Sequence, residues 1–202
     1  PCDSNSFAGY LLQIGIKKDK TVYLYNGVSK RNQSAQFAVL DISTCNKDLQ
    51  QCADAVMRLR AEYLFATQQY DKIVFYDNDG TSFRFTVPYS KNHLQSFLQQ
   101  VFGMCGSASL SKQLTAKKID AVAPGDVLIR GGFPGHAVMV LDVATNAAGN
   151  KAYLIAQSYM PAQDIHILLN PTNQNSPWYF VNNQQQIVTP EYIFTKDELK
   201  RW

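Results

Sequence analysis

Apolar residues Leu49, Cys52, Val56, Leu59 and Tyr63 recur at helical spacing, and Ala53, Met57 and Leu64 widen the stripe. Asp48 is the candidate cap of this helix, which puts Cys52 in its second turn. A second amphipathic helix gathers Leu94, Phe97, Leu98, Val101 and Phe102 on one face. A shorter helix follows the polar Ser4-Asn5-Ser6 and carries Phe7, Tyr10, Leu11 and Ile14. Residues 103–114 mix Gly and Ser and turn helical toward their end.

Strands show a different texture. "TVYLY" (21–25) and "FAVLDI" (37–42) are rich in β-branched and aromatic residues. "KIVFY" (72–76) and "SFRFTV" (82–87) flank "DNDG" and read as a hairpin. From Pro124 onward, "GDVLIR", "HAVMVLDV", "KAYLIAQSY" and "DIHILL" are short apolar strands parted by turn residues, with "NAAGN" (146–150) as a hairpin loop. "TKDE" (195–198) is a capping box ahead of Leu199 and Trp202.

Helices therefore concentrate in residues 1–115 and an antiparallel meander in residues 124–194. Short turns between sequential strands exclude a βαβ arrangement, so the fold class is α+β, with helices packed on an antiparallel meander or half-barrel. No repeat or linker divides the chain, and 1–202 reads as one domain. At 46% hydrophobic and 17% charged residues, it can bury a substantial core. The net charge of +3 is scattered, with Lys17, Lys18 and Lys20 its densest group, which does not make a nucleic-acid footprint. No apolar stretch is long enough to span a membrane.

Four cysteines, Cys2, Cys45, Cys52 and Cys105, stand without a C-x-x-C pair beside three histidines, His93, His136 and His166. Metal-ligand spacing is absent, and no cofactor motif is present. Free, mostly buried thiols are the expected state; Cys45–Cys52 is the nearest pair for a bridge.

A thiol becomes a nucleophile when a helix N-terminus or an adjacent imidazole stabilises its thiolate. Cys52 has the first device, and His136 supplies the second if the meander packs against the Cys52 helix. Gln157, a polar amide inside an apolar strand, returns beside His136 and can orient the imidazole. Asp142 is the competitor, but the strand rise puts it roughly 20 Å from His136. Each candidate has a plainer alternative. Cys52 on an apolar stripe fits an inert buried thiol, and His136 after glycine fits a turn histidine. His166 reads as the exposed face of a strand, and His93 as a surface or capping residue. Cys105, between Met, Gly and Ser, is a second, accessible candidate nucleophile.

"PGDVLIRGGFPGHAVMVLDV" (124–143) resembles the P-G-D … G-H signature of NlpC-type and CHAP-type cysteine peptidases and amidases. "VYLYNG", "AVLDIS", "KDLQQCADAVMRLRAEYLF", "PGHAVMVLDVA" and "AQSYMPAQDIHIL" together resemble an uncharacterised bacterial family of NlpC-like domains. The resemblance implies a papain-like fold, with a helix N-terminus bearing the cysteine packed on an antiparallel sheet. It implies a cysteine hydrolase of cell-wall peptides, with Cys52 as nucleophile, His136 as base and Gln157 as orienter. Gln51 or Gln33 would join the Cys52 N–H at the oxyanion, and Tyr159 and Trp178 would form a substrate platform. It further implies an extracytoplasmic protein, periplasmic, outer-membrane-associated or secreted, and is compatible with a lipid anchor upstream of Pro1. The sequence departs from the peptidase pattern at the nucleophile: "LQQCADAV" replaces D-C-S-G, and 84 residues separate Cys52 from His136. A non-catalytic binding or assembly module of the cell envelope, keeping the fold, is the rival reading.

Overall fold

The structure, a computed structural model, describes residues 3–173 and 176–202. Among them lie four α-helices: α1 (Phe7–Gln13), α2 (Cys52–Ala66), α3 (Lys91–Met104) and α4 (Ser107–Gln113). The strands are β1 (Gln36–Val39), β2 (Val74–Tyr76), β3 (Ser82–Arg84), β4 (Thr115–Ala116), β5 (Val127–Arg130), β6 (His136–Thr145), β7 (Lys151–Gln157), β8 (His166–Leu168), β9 (Tyr179–Phe180), β10 (Gln186–Val188), β11 (Ile193–Thr195) and β12 (Leu199–Arg201). The architecture is α+β with antiparallel sheets. No helix among the described residues is long and apolar enough to cross a membrane.

The central sheet runs β1-β8-β7-β6-β5-β12-β4, with β9 also pairing β7. Its middle is the meander read from the sequence: β5 to β6 and β6 to β7 are direct antiparallel neighbours. Its flanks come from elsewhere. β1 closes on β8, β4 closes on β12, and the sheet thus draws strands from both halves of the chain. The hairpin β2–β3 forms as read, with Phe75 opposite Phe83.

Alternation along β6 divides the core. Ala137, Met139 and Leu141 face the helices with Val56, Met57, Leu59 and Leu98. Val138 and Val140 face the other way, toward Tyr153, Ile155, Leu168 and Phe194. Helix α2 packs directly on β6, with Cys52 in its first turn close to Ala137 of that strand.

Three local readings are corrected, and a fourth, the capping box at 195–198, forms as read. Helix α2 begins at Cys52, not directly after Asp48, because Asp48 is engaged elsewhere: its Oδ1 accepts from Ala162 N (2.6 Å) and Gln51 Nε2 (3.3 Å). Gln51 becomes the cap residue, and its N–H donates to Asp54 Oδ2 at 2.9 Å, half of a capping box. "TVYLY" forms only isolated bridges at Tyr23 and Leu24, since Gln33 Oε1 and Asp164 Oδ2 take the N–H groups of Val22 and Tyr23. His166 is fully buried, because β8 is an interior strand between β1 and β7 and both its faces are covered. The C-terminal capping box opens a single 3-10 turn, Lys196–Glu198, which runs straight into β12.

The glycines of the P-G-D and G-H stretches have backbone reasons. Gly125 sits at φ +88°, and a Cβ there would lie 2.5 Å from the Phe7 ring. Asp126 beside it accepts from Lys117 Nζ and Ala123 N at 2.6 and 2.8 Å, so this carboxylate ties the loop. A Cβ on Gly135 would meet Ser107 Oγ at 2.2 Å and Gly132 O at 2.6 Å. Only glycine lets the chain enter β6 at this angle against α4.

Candidate functional site

His136 opens β6 and Gln157 ends β7, and the ladder brings them side by side. His136 Nε2 lies 2.8 Å from Gln157 Oε1, with both residues buried. An aromatic wall encloses the imidazole: its centroid is 4.8 Å from Tyr159, 4.9 Å from Tyr192 and 5.7 Å from Phe194. Burial pushes the His136 pKa down to about 4, although Gln157 and Glu191 oppose the shift. The ring is therefore neutral near pH 7, the state a general base needs.

Cys52 is the first residue of α2, where backbone N–H groups lack helical acceptors. The backbone N–H groups of Ala137, Ala53 and Cys52 itself, near the sulfur, favour the thiolate. Ala137 directly follows His136, so the sulfur sits against the start of β6. Two further ties hold this corner together. Ser158 Oγ donates to Gln50 O at 2.9 Å, and Gln50 Nε2 donates to Gln163 O at 3.4 Å. Burial nevertheless dominates and pushes the Cys52 thiol up, with the Asp54 charge adding to it. Asp54 is itself buried, which lifts its carboxyl to about 8 against the Gln51 N–H. Its Oδ1 has no hydrogen-bond partner among the described residues.

Cys52 and His136 approach the strand from different sides. Ala137 faces α2, while the His136 ring stacks on Phe194 in the opposite core. No hydrogen bond joins the thiol to the imidazole among those of the described residues. The two groups share the start of β6 rather than one face of it. Asp142 lies on the helix side, because a bulge between Val140 and Asp142 sets it opposite Leu154, and it does not share the His136 face.

The other site candidates divide. Tyr159 joins the cluster through its ring contact with His136, and burial raises its phenol, helped by the Glu191 and Cys52 charges. Gln51 immediately precedes Cys52, with its amide donating to Asp48. Gln33 braces the 22–30 loop instead: its Nε2 donates to Val22 O and Lys30 O at 2.9 and 2.7 Å. Trp178 precedes β9, which pairs with Ala152 and Tyr153, roughly 13 Å along β7 from Gln157. The structure does not bring Trp178 to the histidine. In β9 itself, Tyr179 is buried and Phe180 exposed.

Cys105 is buried, and burial pushes its thiol up to about 12, which removes it as an accessible nucleophile. Cys45, Cys52 and Cys105 are free thiols, so the Cys45–Cys52 bridge does not form; Cys2 lies outside the described residues. His93 occupies the first turn of α3, behind the Ser90 cap, as the sequence suggests.

Sequence reasoning missed the polar residues beneath Gln157. Gln157 Nε2 donates to Glu191 Oε2 at 2.7 Å and lies 3.4 Å from His166 Nε2. Glu191 pairs with Lys30 Nζ at 2.5 Å and accepts from Asn32 Nδ2 at 3.0 Å. Lys30 is only 8% exposed, and it and Asn32 outweigh burial to hold the Glu191 carboxyl below its ordinary range. No local motif marks these residues, which come together from loops about 160 positions apart.

Comparison with curated proteins and with solved structures gives no match. A domain family does match, over residues 1–90 and 84–201, and so across nearly the whole chain. The protein belongs to DUF4846, a family described as a domain of unknown function.

Proposed function

We propose that this protein is a cysteine hydrolase that cleaves amide bonds in peptides through a papain-like site. The observation that carries the reading is the buried His136–Gln157 pair at 2.8 Å, next to a cysteine whose sulfur rests against the residue after His136. In the reaction, which requires the thiol and the imidazole to meet across the start of β6, His136 Nδ1 takes the thiol proton as the Cys52 sulfur bonds to the substrate carbonyl carbon. The tetrahedral oxyanion is held by the Cys52 N–H at the open end of α2. Collapse breaks the C–N bond, and the imidazolium gives its proton to the departing amine. Water then attacks the thioester, His136 accepts its proton and returns it to the thiolate, and the carboxylic acid leaves. Gln157 holds the imidazole throughout without adding charge. The cell-wall origin of the peptide, the extracytoplasmic location and an upstream lipid anchor belong to the same proposal and rest on sequence resemblance alone.

Specific observations favour a second reading, a binding or assembly module that retains the site's residues without turnover. The Cys52 thiol is raised rather than lowered, and the His136 ring is 2% exposed among aromatic neighbours. Incubation of wild type and Cys52→Ala with purified cell-wall peptides, read by mass spectrometry, separates the two. Cleavage by wild type alone supports the hydrolase. Cleavage by both overturns Cys52 as the nucleophile, and cleavage by neither while the peptides still bind supports the module.

A further inference from the structure

The three groups around the Gln157 amide leave one arrangement of protons. Glu191 Oε2 is an ionised carboxylate oxygen and only accepts, so the Gln157 atom 2.7 Å away is its NH₂ nitrogen. His166 Nδ1 lies 2.8 Å from Asp164 O, which only accepts, so Nδ1 carries the His166 hydrogen. His166 Nε2 then has a free lone pair, which faces the second N–H of Gln157 at 3.4 Å. Both amide hydrogens are used, and the carbonyl Oε1 is turned to His136. Because Oε1 only accepts, the His136 nitrogen 2.8 Å from it is protonated, and Nδ1 is left as the basic nitrogen.

We infer that Glu191 and His166 are positioning residues that lock the Gln157 amide and thereby hold His136 in its Nε2–H tautomer. Its catalytic consequence rests on the hydrolase reading; the tautomer itself does not. A flipped amide would present N–H to His136 Nε2, demand a lone pair there and move the proton to Nδ1, where it would block proton uptake. The flip would also put Oε1 against Glu191 Oε2, two acceptors at 2.7 Å. Lys30 contributes by keeping that carboxylate ionised in a buried place, and Asn32 by holding its other oxygen.

The test is ¹⁵N NMR of the histidine side chains at neutral pH in the full chain. The wild type should show His136 as one species with hydrogen on Nε2 and His166 as one species with hydrogen on Nδ1. Hydrogen on His136 Nδ1 in the wild type overturns the inference without any variant. Glu191→Gln alone leaves Lys30 buried without its partner, so the informative protein is Lys30→Gln with Glu191→Gln, which removes both charges together. A glutamine at 191 can face Gln157 with either end, and His136 should then populate both tautomers. Glu191→Asp, which keeps an accepting carboxylate, should restore the single species. His136 remaining wholly Nε2–H in the double variant overturns the inference. If the hydrolase reading also holds, the double variant should lose kcat in proportion to its Nδ1–H fraction, about twofold when the two tautomers are equally populated, with KM little changed. A tautomer shift with no cleavage by any form supports the lock and overturns the hydrolase reading alone.

Discussion

Replacing His136 with asparagine should change how the fold's stability depends on pH. The imidazole is 2% exposed, and its pKa is about 4 rather than the ordinary 6.5. Between those two values the unfolded chain binds a proton that the folded chain refuses. The stability of the wild type is therefore fully present well above pH 6.5, falls as the pH drops through that value, and levels off below about 4. At about 1.4 kcal/mol per unit, the loss is about 0.2 kcal/mol at pH 7 and about 2 kcal/mol at pH 5. Asp54 works in the opposite direction, since its raised carboxyl makes the fold more stable as the pH falls through about 8. Asp54 and His166 remain in both proteins, so taking the variant as reference isolates His136. Urea unfolding of both proteins at pH 7 and pH 5 reads the effect as the difference in stability at equal m. The wild type should lose about 2 kcal/mol relative to the variant on going to pH 5. A difference constant to within about 0.5 kcal/mol would refute the claim that burial keeps this imidazole neutral.

Three further outcomes follow from burial and charge. Alkylation mapped by peptide mass spectrometry at pH 8 should modify exposed Cys45 first, Cys52 slowly and Cys105 last; Cys52 reacting ahead of Cys45 would contradict the raised thiol. Asp54→Asn removes the charge that opposes the Cys52 thiolate, so Cys52 alkylation at pH 9 should accelerate, and an unchanged rate would show that the charge is not felt. Gly125→Ala forces a methyl to within 2.5 Å of the Phe7 ring at a left-handed φ, which should cost about 1–3 kcal/mol. A thermal midpoint within about a degree of wild type would count against that contact.

How far the sequence reaches depends on whether a residue's neighbours lie near it in the chain. Helical periodicity located α2 and α3 because their apolar faces are written into consecutive turns. The pairing of His136 with Gln157 was legible because one short hairpin connects their strands. The start of α2 was misplaced because Asp48, a fair cap by type, is taken by Ala162, more than a hundred residues away. His166 read as exposed because nothing local says that β1 will cover its strand. Glu191, Lys30 and Asn32 were invisible for the same reason: lone polar residues in loops acquire meaning only when the fold gathers them under Gln157. The opposite sides from which Cys52 and His136 reach the start of β6 likewise follow from tertiary packing.

The central claim is that Cys52 is a nucleophile served by His136, and acyl transfer tests it without knowledge of the natural substrate. Wild type, Cys52→Ala and His136→Ala would each be mixed with p-nitrophenyl acetate and followed by intact and peptide mass spectrometry. The account predicts a transient acetyl adduct on Cys52 in the wild type that forms and decays. It predicts no such adduct in Cys52→Ala and much slower formation in His136→Ala. Acetylation of Cys45 alone, or an adduct on Cys52 formed equally fast without His136, would contradict it.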